Sequence, residues 1–111
     1  MGDTPASQIS EAMDRLWQKF RPQMTERVAT LRAAAAKLAS RACLTQEEQS
    51  NAAADAHKLA GVLGTFGLKE GTELAREAEG LLEGSLDASP ATVKRLSSIA
   101  EQLNAMVVSR G

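Results

Sequence analysis

The chain has no tyrosine, one tryptophan, two phenylalanines, one cysteine and one histidine in 111 residues. Each scarcity closes something off. A lone cysteine, Cys43, cannot form an internal disulfide, which fits a reducing cytosol. Cys43 itself reads as a small apolar residue at a helix end. One histidine and one cysteine also fall short of the ligands a zinc site needs, so no metal is expected. A formal net charge of −1 gives no electrostatic case for nucleic acid or an anionic membrane. No apolar run approaches bilayer length. Residues Met1-Gly2-Asp3-Thr4-Pro5 lack the basic and apolar stretches of a signal peptide, so the expected location is cytoplasmic. There is no glycine loop of the kind that cradles nucleotide phosphates, which argues against an ATP-dependent kinase.

What is present is helical periodicity. Ile9, Met13, Leu16 and Phe20 step by three and four, as do Met24, Val28, Leu31, Ala35 and Leu38. Further stripes run through Ala52, Ala56, Leu59, Leu63 and Phe66, through Leu74, Ala78, Leu81 and Leu82, and through Val93, Leu96, Ala100, Leu103 and Val107. No segment alternates as a half-buried strand does, and the scarcity of β-branched and aromatic residues agrees. Pro22 is expected to end a first short helix near 7–20 or to open the next as its first residue. Thr45-Gln46-Glu47-Glu48 has the form of a capping box. Gly64 and Gly67 bracket a turn, Gly84-Ser85 stops a helix, and Ser89-Pro90 starts one. The map is helices near 7–20, 22–41, 45–64, 68–83 and 90–108. The fold class expected is all-α: an up-down-up-down antiparallel four-helix bundle with a short additional N-terminal helix, which packs across one end or extends the second. One domain spans 1–111, with residues 1–6 expected to be flexible, and a bundle that closes its own core is expected to be a monomer.

His57 stands among small residues. On a helix, Ala53, His57, Ala60, Gly61 and Gly64 fall on adjoining strips of one surface, so the imidazole is left in a clearing. That packs a core poorly and lets another protein's active site reach a ring nitrogen. A glycine inside a helix costs about 1 kcal/mol against alanine, so Gly61 answers a packing or an access requirement. Neutral imidazole is a nucleophile near pH 7, and in-line attack on phosphorus needs open approach. The distal nitrogen Nε2 is the reachable one, and the other nitrogen needs an acceptor that fixes the tautomer. Folding back through the turn at 64–67 brings roughly the part of the next helix that holds Glu79, 22 residues on, alongside His57. Glu79 is therefore the candidate acceptor, against the plainer account of a solvated helix residue. Phe66 and Leu68 read as core, and Trp17 as core or as part of an exposed patch. Lys69 and Arg76 read as solvated charges or as the border of a partner surface.

The residues Ala56-His57-Lys58-Leu59-Ala60-Gly61, Gly64-Thr65-Phe66-Gly67-Leu68, Leu74 and Ala78-Glu79-Gly80-Leu81-Leu82-Glu83 together resemble the histidine-containing phosphotransfer (HPt) domain family. The Gly-Thr-Phe-Gly turn is also similar to the phosphorylated domain of chemotaxis histidine kinases, where the position matching Glu79 is a glutamate bonded to the histidine. The resemblance implies a phosphorelay intermediate of two-component signalling. His57 would take a phosphoryl group on Nε2 from an aspartyl phosphate and pass it to another receiver. The implied partners are response-regulator receiver domains, including those of hybrid sensor histidine kinases. Mg²⁺ is expected on the receiver, and no cofactor in this chain. One departure stands out. The family often has lysine directly before the glycine, where this chain has Ala60 and carries Lys58 two positions earlier, about 200° round the helix. Lys58 would reach a phosphoryl group only by bending its long stem. Two other classes compete: a non-catalytic helical adaptor or oligomerisation bundle, and the phosphate-accepting fragment of a larger histidine kinase.

Overall fold

A computed structural model describes residues 5–110 as four helices: α1 (Pro5–Ala39), α2 (Gln46–Thr65), α3 (Lys69–Leu82) and α4 (Pro90–Arg110). No strand occurs among the described residues. Each helix packs on two others, α1 and α3 both touching α2 and α4. The four inner faces share one core, in which Trp17, Met24, Leu31, Leu59, Leu63 and Leu103 are closed to solvent. The expectation of a flexible start over 1–6 falls mostly on residues 1–4, which lie outside the described residues; Pro5 and Ala6 already belong to α1.

Of the two placements expected for the N-terminal helix, extension of the second is the one observed, and the break expected at Pro22 is corrected. One helix of 35 residues runs straight through Pro22. At 1.5 Å per residue it is about 52 Å long, which accounts for most of the 60 Å length of the molecule. Proline removes one backbone donor and crowds the preceding turn. Here Pro22 lies on the exposed side, so the freed carbonyl of Gln18 faces water rather than the core. Three residues on, the Thr25 hydroxyl donates to the Arg21 carbonyl at 2.9 Å, and the helix persists. The first stripe is corrected too. Ile9 and Leu16 are exposed, and fully buried Trp17 takes the inward position, with its ring edge-on to Phe66 at a centroid distance of 5.0 Å.

The ends of the helices are fixed by local chemistry. Thr45 caps α2 and exchanges bonds with Glu48, the expected capping box. Lys37 of α1 also donates to Glu48, at 2.6 Å. That ammonium, together with the Thr45 backbone bond, holds the Glu48 carboxyl down to about 2. At the far end of α2, Leu68 N–H reaches the Leu63 carbonyl and Gly67 N–H reaches that of Gly64, with Gly67 at φ 71°. This is a Schellman stop, and only glycine takes that backbone conformation without strain. The end of α1 repeats it with Arg41, at φ 66°, in glycine's place. The link to α4 is ordered by Asp87, which accepts from the Ser89 backbone and from the Thr92 hydroxyl. Those donors hold its carboxyl below the usual range. Cys43 lies exposed in the α1–α2 link, beyond the helix end.

Candidate functional site

The site forms where α2 and α3 run side by side after the tight turn at Gly64–Gly67. Their relative register is fixed at three levels. Near the turn, Gly64 lies against Thr72, whose Oγ1 a Cβ at Gly64 would meet at 3.7 Å. At the other end, the Gln49 amide donates to the carbonyls of Leu82 and Gly84, at 2.7 and 2.8 Å. Midway, His57 Nδ1 and Glu79 Oε2 stand 2.9 Å apart. Ala52, Ala56, Leu59 and Leu63 take the inner face of α2, and this turns position 57 outward. The His57 side chain is 74% exposed and that of Glu79 22%. The carboxylate is thus seated between the helices and reaches up to the ring.

The consequence for the ring is direct. With the carboxylate accepting, Nδ1 carries the proton, and the lone pair of neutral imidazole is left on Nε2. Nε2 makes no hydrogen bond within the described residues, and the exposure of the ring leaves it facing solvent. The arrangement presents a tethered nucleophile of fixed tautomer at the mouth of an open groove. The groove runs from the ring along the helix pair toward Gln46, floored by Ala53 and edged by Lys58 and Glu83.

The expected clearing is only partly as read. Gly61 is exposed, and a Cβ there would meet nothing within 4 Å, so internal packing does not require glycine. Ala60 is corrected: it is buried at 6% exposure. Ala53 is half-buried and packed on the core. Both lie some 40–60° back from His57 toward α3, so they make the floor between the helices rather than open surface beside the ring. Lys58 turns the other way, toward α1. It borders a second groove with Arg27, Thr30 and Asp55 while also edging the one at His57. It ion-pairs with no carboxylate among the described residues. Sequence reasoning gave Gln49 no role; a lone glutamine carries no signal of which distant carbonyls it will meet. It also passed over Gly71, where a Cβ would come within 3.0 Å of Met106 Sδ and 3.1 Å of Leu63 Cδ1. Among the described residues, no group of His, Cys, Asp and Glu side chains could hold a metal ion. No helix among them is long and apolar enough to cross a membrane.

The site is thus an exposed imidazole on a helical bundle, braced at Nδ1 by a carboxylate and open at Nε2. The family model described as Hpt domain matches residues 15–106, and the chain belongs to that family. Hpt domains are histidine phosphotransfer modules of two-component phosphorelays; they act as phosphocarriers rather than kinases and interact with response-regulator receiver domains. No curated protein and no solved structure matches the chain.

Proposed function

We propose that this chain is a phosphorelay intermediate in which His57 is the phosphoryl acceptor. The Nε2 lone pair attacks the phosphorus of an aspartyl phosphate on a receiver domain. The N–P bond forms as the acyl P–O bond breaks, and the aspartate leaves as a carboxylate. The ring keeps its Nδ1 proton and becomes a phosphorylated imidazolium, whose positive charge Glu79 faces at 2.9 Å. Transfer to a second receiver is the same displacement reversed. Glu79 thus has two tasks: it fixes the tautomer before attack and stabilises the charge after it.

The observation that carries the reading is the bond from Nδ1 to Glu79 on a ring that is otherwise 74% open. The neighbours fit the same purpose. Gly61 leaves room for the partner's loops, Ala53, Ala60 and Gly64 let α2 and α3 approach, and Lys58 supplies positive charge at the groove edge. Mg²⁺ belongs to the receiver, and this chain brings none of its own. The bundle order is up-down-up-down; the end-to-end pairs Lys37–Glu48, Gln49–Gly84 and Glu77–Arg95 support it. The protein works as a cytoplasmic monomer.

The test is to incubate the chain with phosphorylated receiver domains and look for acid-labile, base-stable phosphate. The wild-type chain should take the label, and His57→Gln should lose it with helical circular dichroism unchanged. A wild-type chain that stays unlabelled with a panel of competent receivers overturns the carrier reading in favour of a helical adaptor.

A further inference from the structure

The α3 helix holds a glycine that neither backbone nor packing explains. Gly80 lies in the last turn of α3, outside the left-handed region that only Gly67 and Gly84 occupy among the described glycines. A Cβ at Gly80 would meet nothing within 4 Å. Glycine weakens a helix relative to alanine, so its presence there brings the fold nothing. Its location is informative. Gly80 follows Glu79, the residue that reaches His57, by one step: about 1.5 Å along the axis and 100° round it. The turn carries it from the interhelical seam to the outward side, where Arg76 and Glu83, one helical turn to either side, are also exposed. The outer ridge of α3 is therefore notched at the level of His57. The outer ridge of α2 is notched one turn along, at Gly61.

We propose that Gly80 is a positioning residue for the docked receiver: its missing side chain lets the receiver's phosphoacceptor loops settle across both helices, close enough for Nε2 to meet phosphorus. This rests on the carrier reading of His57. The occupant follows from continuity with that site, because Gly80 directly follows the residue that braces His57. Attack requires the reacting atoms within about 3–3.5 Å, and the imidazole rises from a surface on which ridges of both helices meet any rigid partner. A side chain at position 80 would stand between that partner and α3 and hold it off. The groove that starts at the ring is edged by Lys58 on α2 and Glu83 on α3, and it lies open along the helix pair from His57 toward Gln46.

The test separates docking from chemistry by using two donors. Phosphoramidate, a small donor that needs no docking surface, labels His57 directly; a phosphorylated receiver needs the surface. Gly80→Ala and Gly80→Leu are compared with wild type and with Ala105→Leu, which adds similar bulk at an exposed position on α4. The expected result is a raised Tm for Gly80→Ala and unchanged phosphoramidate labelling for both Gly80 variants. The half-saturating concentration of receiver should rise a few-fold for alanine and about tenfold or more for leucine, with little change in maximal rate. Ala105→Leu should leave receiver transfer at the wild-type level. Equal half-saturation for Gly80→Leu and wild type overturns the proposal, and so does an equal loss with both donors, because that would mean the residue acts through Glu79. Failure of wild type itself to take label from either donor overturns the carrier reading instead.

Discussion

Removing the Glu79 carboxylate tests the proposed mechanism most directly. In Glu79→Ala the ring loses the acceptor that stands 2.9 Å from Nδ1. Two effects then act in the same direction: the imidazole is free to place its proton on Nε2, which blocks attack, and the charge of the phosphorylated ring is left unopposed. The second effect can be sized. Unit charges 2.9 Å apart in a medium as polar as water attract by about 1.4 kcal/mol, and the 74% exposure of the ring argues for a dielectric near that limit. A barrier change of about 1.4 kcal/mol is a factor of about ten in rate. Glu79→Ala should therefore slow phosphoryl transfer about tenfold without abolishing it. Glu79→Gln keeps a neutral acceptor and should fall between the two. The assay is single-turnover transfer from a labelled receiver under saturating conditions, which reports the chemical step rather than docking. Because the Glu79 carboxylate makes no other polar contact among the described residues, unfolding should change little. A transfer rate in Glu79→Ala equal to that of wild type would remove the carboxylate from the mechanism.

The remaining predictions concern the frame. Gly61→Ala adds a methyl into open space and should stabilise the bundle by about 1 kcal/mol, read as a higher urea midpoint. Gly71→Ala should gain less or lose stability, because its methyl would press on Met106 and Leu63; equal gains at both sites would refute the distinction. Pro22→Ala restores a backbone donor at an exposed helix position and should stabilise by about 1–3 kcal/mol, and a lower Tm would show that proline is needed where it stands. Acid should weaken the fold in a defined window. Glu48, held at about 2 by Lys37 and the Thr45 backbone against an ordinary 4.5, contributes stability that is fully present above 4.5 and is lost as pH falls toward 2. Glu77 and Asp87, also lowered by their partners, act with the same sign. The urea midpoint should drop across that range and drop less in Lys37→Met; a midpoint flat from pH 5 to pH 2 would contradict it.

Much of this was legible in the sequence because helices convert spacing into position. The third, fourth and fifth stripes supplied the buried faces of α2, α3 and α4, and the capping box and glycine stops bounded them. The short turn made readable roughly which part of α3 returns beside His57, and the likeness to chemotaxis kinases singled out Glu79 within it. Where two local rules compete, the sequence is mute. Pro22 breaks helices in general, yet here it costs only one solvent-facing carbonyl, while Trp17 and Met24 on either side pull the chain into one continuous buried face. The choice between Leu16 and Trp17 for the inward position turned on Phe66, whose ring meets Trp17 from an element 49 residues away. Ala60 misled because alanine is at home on either side of a helix, and only the placement of α3 decides which side is covered.

The polar contacts that define the site are few, and their placement explains why the chemistry can be exposed without being loose. The core of Leu59, Leu63, Ala75, Ala78 and Leu82 fixes the distance between α2 and α3, and the Gln49 and Gly64–Thr72 contacts fix their register at either end. The Glu79 carboxylate then starts from a largely covered seat, its side chain 22% exposed, and holds an imidazole that is 74% exposed. In the proposed mechanism the ring must give its phosphoryl group up again, and a ring buried deeply enough to be rigid by packing would be closed to a receiver. Bracing one nitrogen from a neighbouring helix allows the other to remain open. That division of labour requires the acceptor to come from α3 rather than α2, since a residue one turn away on the ring's own helix would stand beside the phosphoryl group and occupy the space the receiver needs.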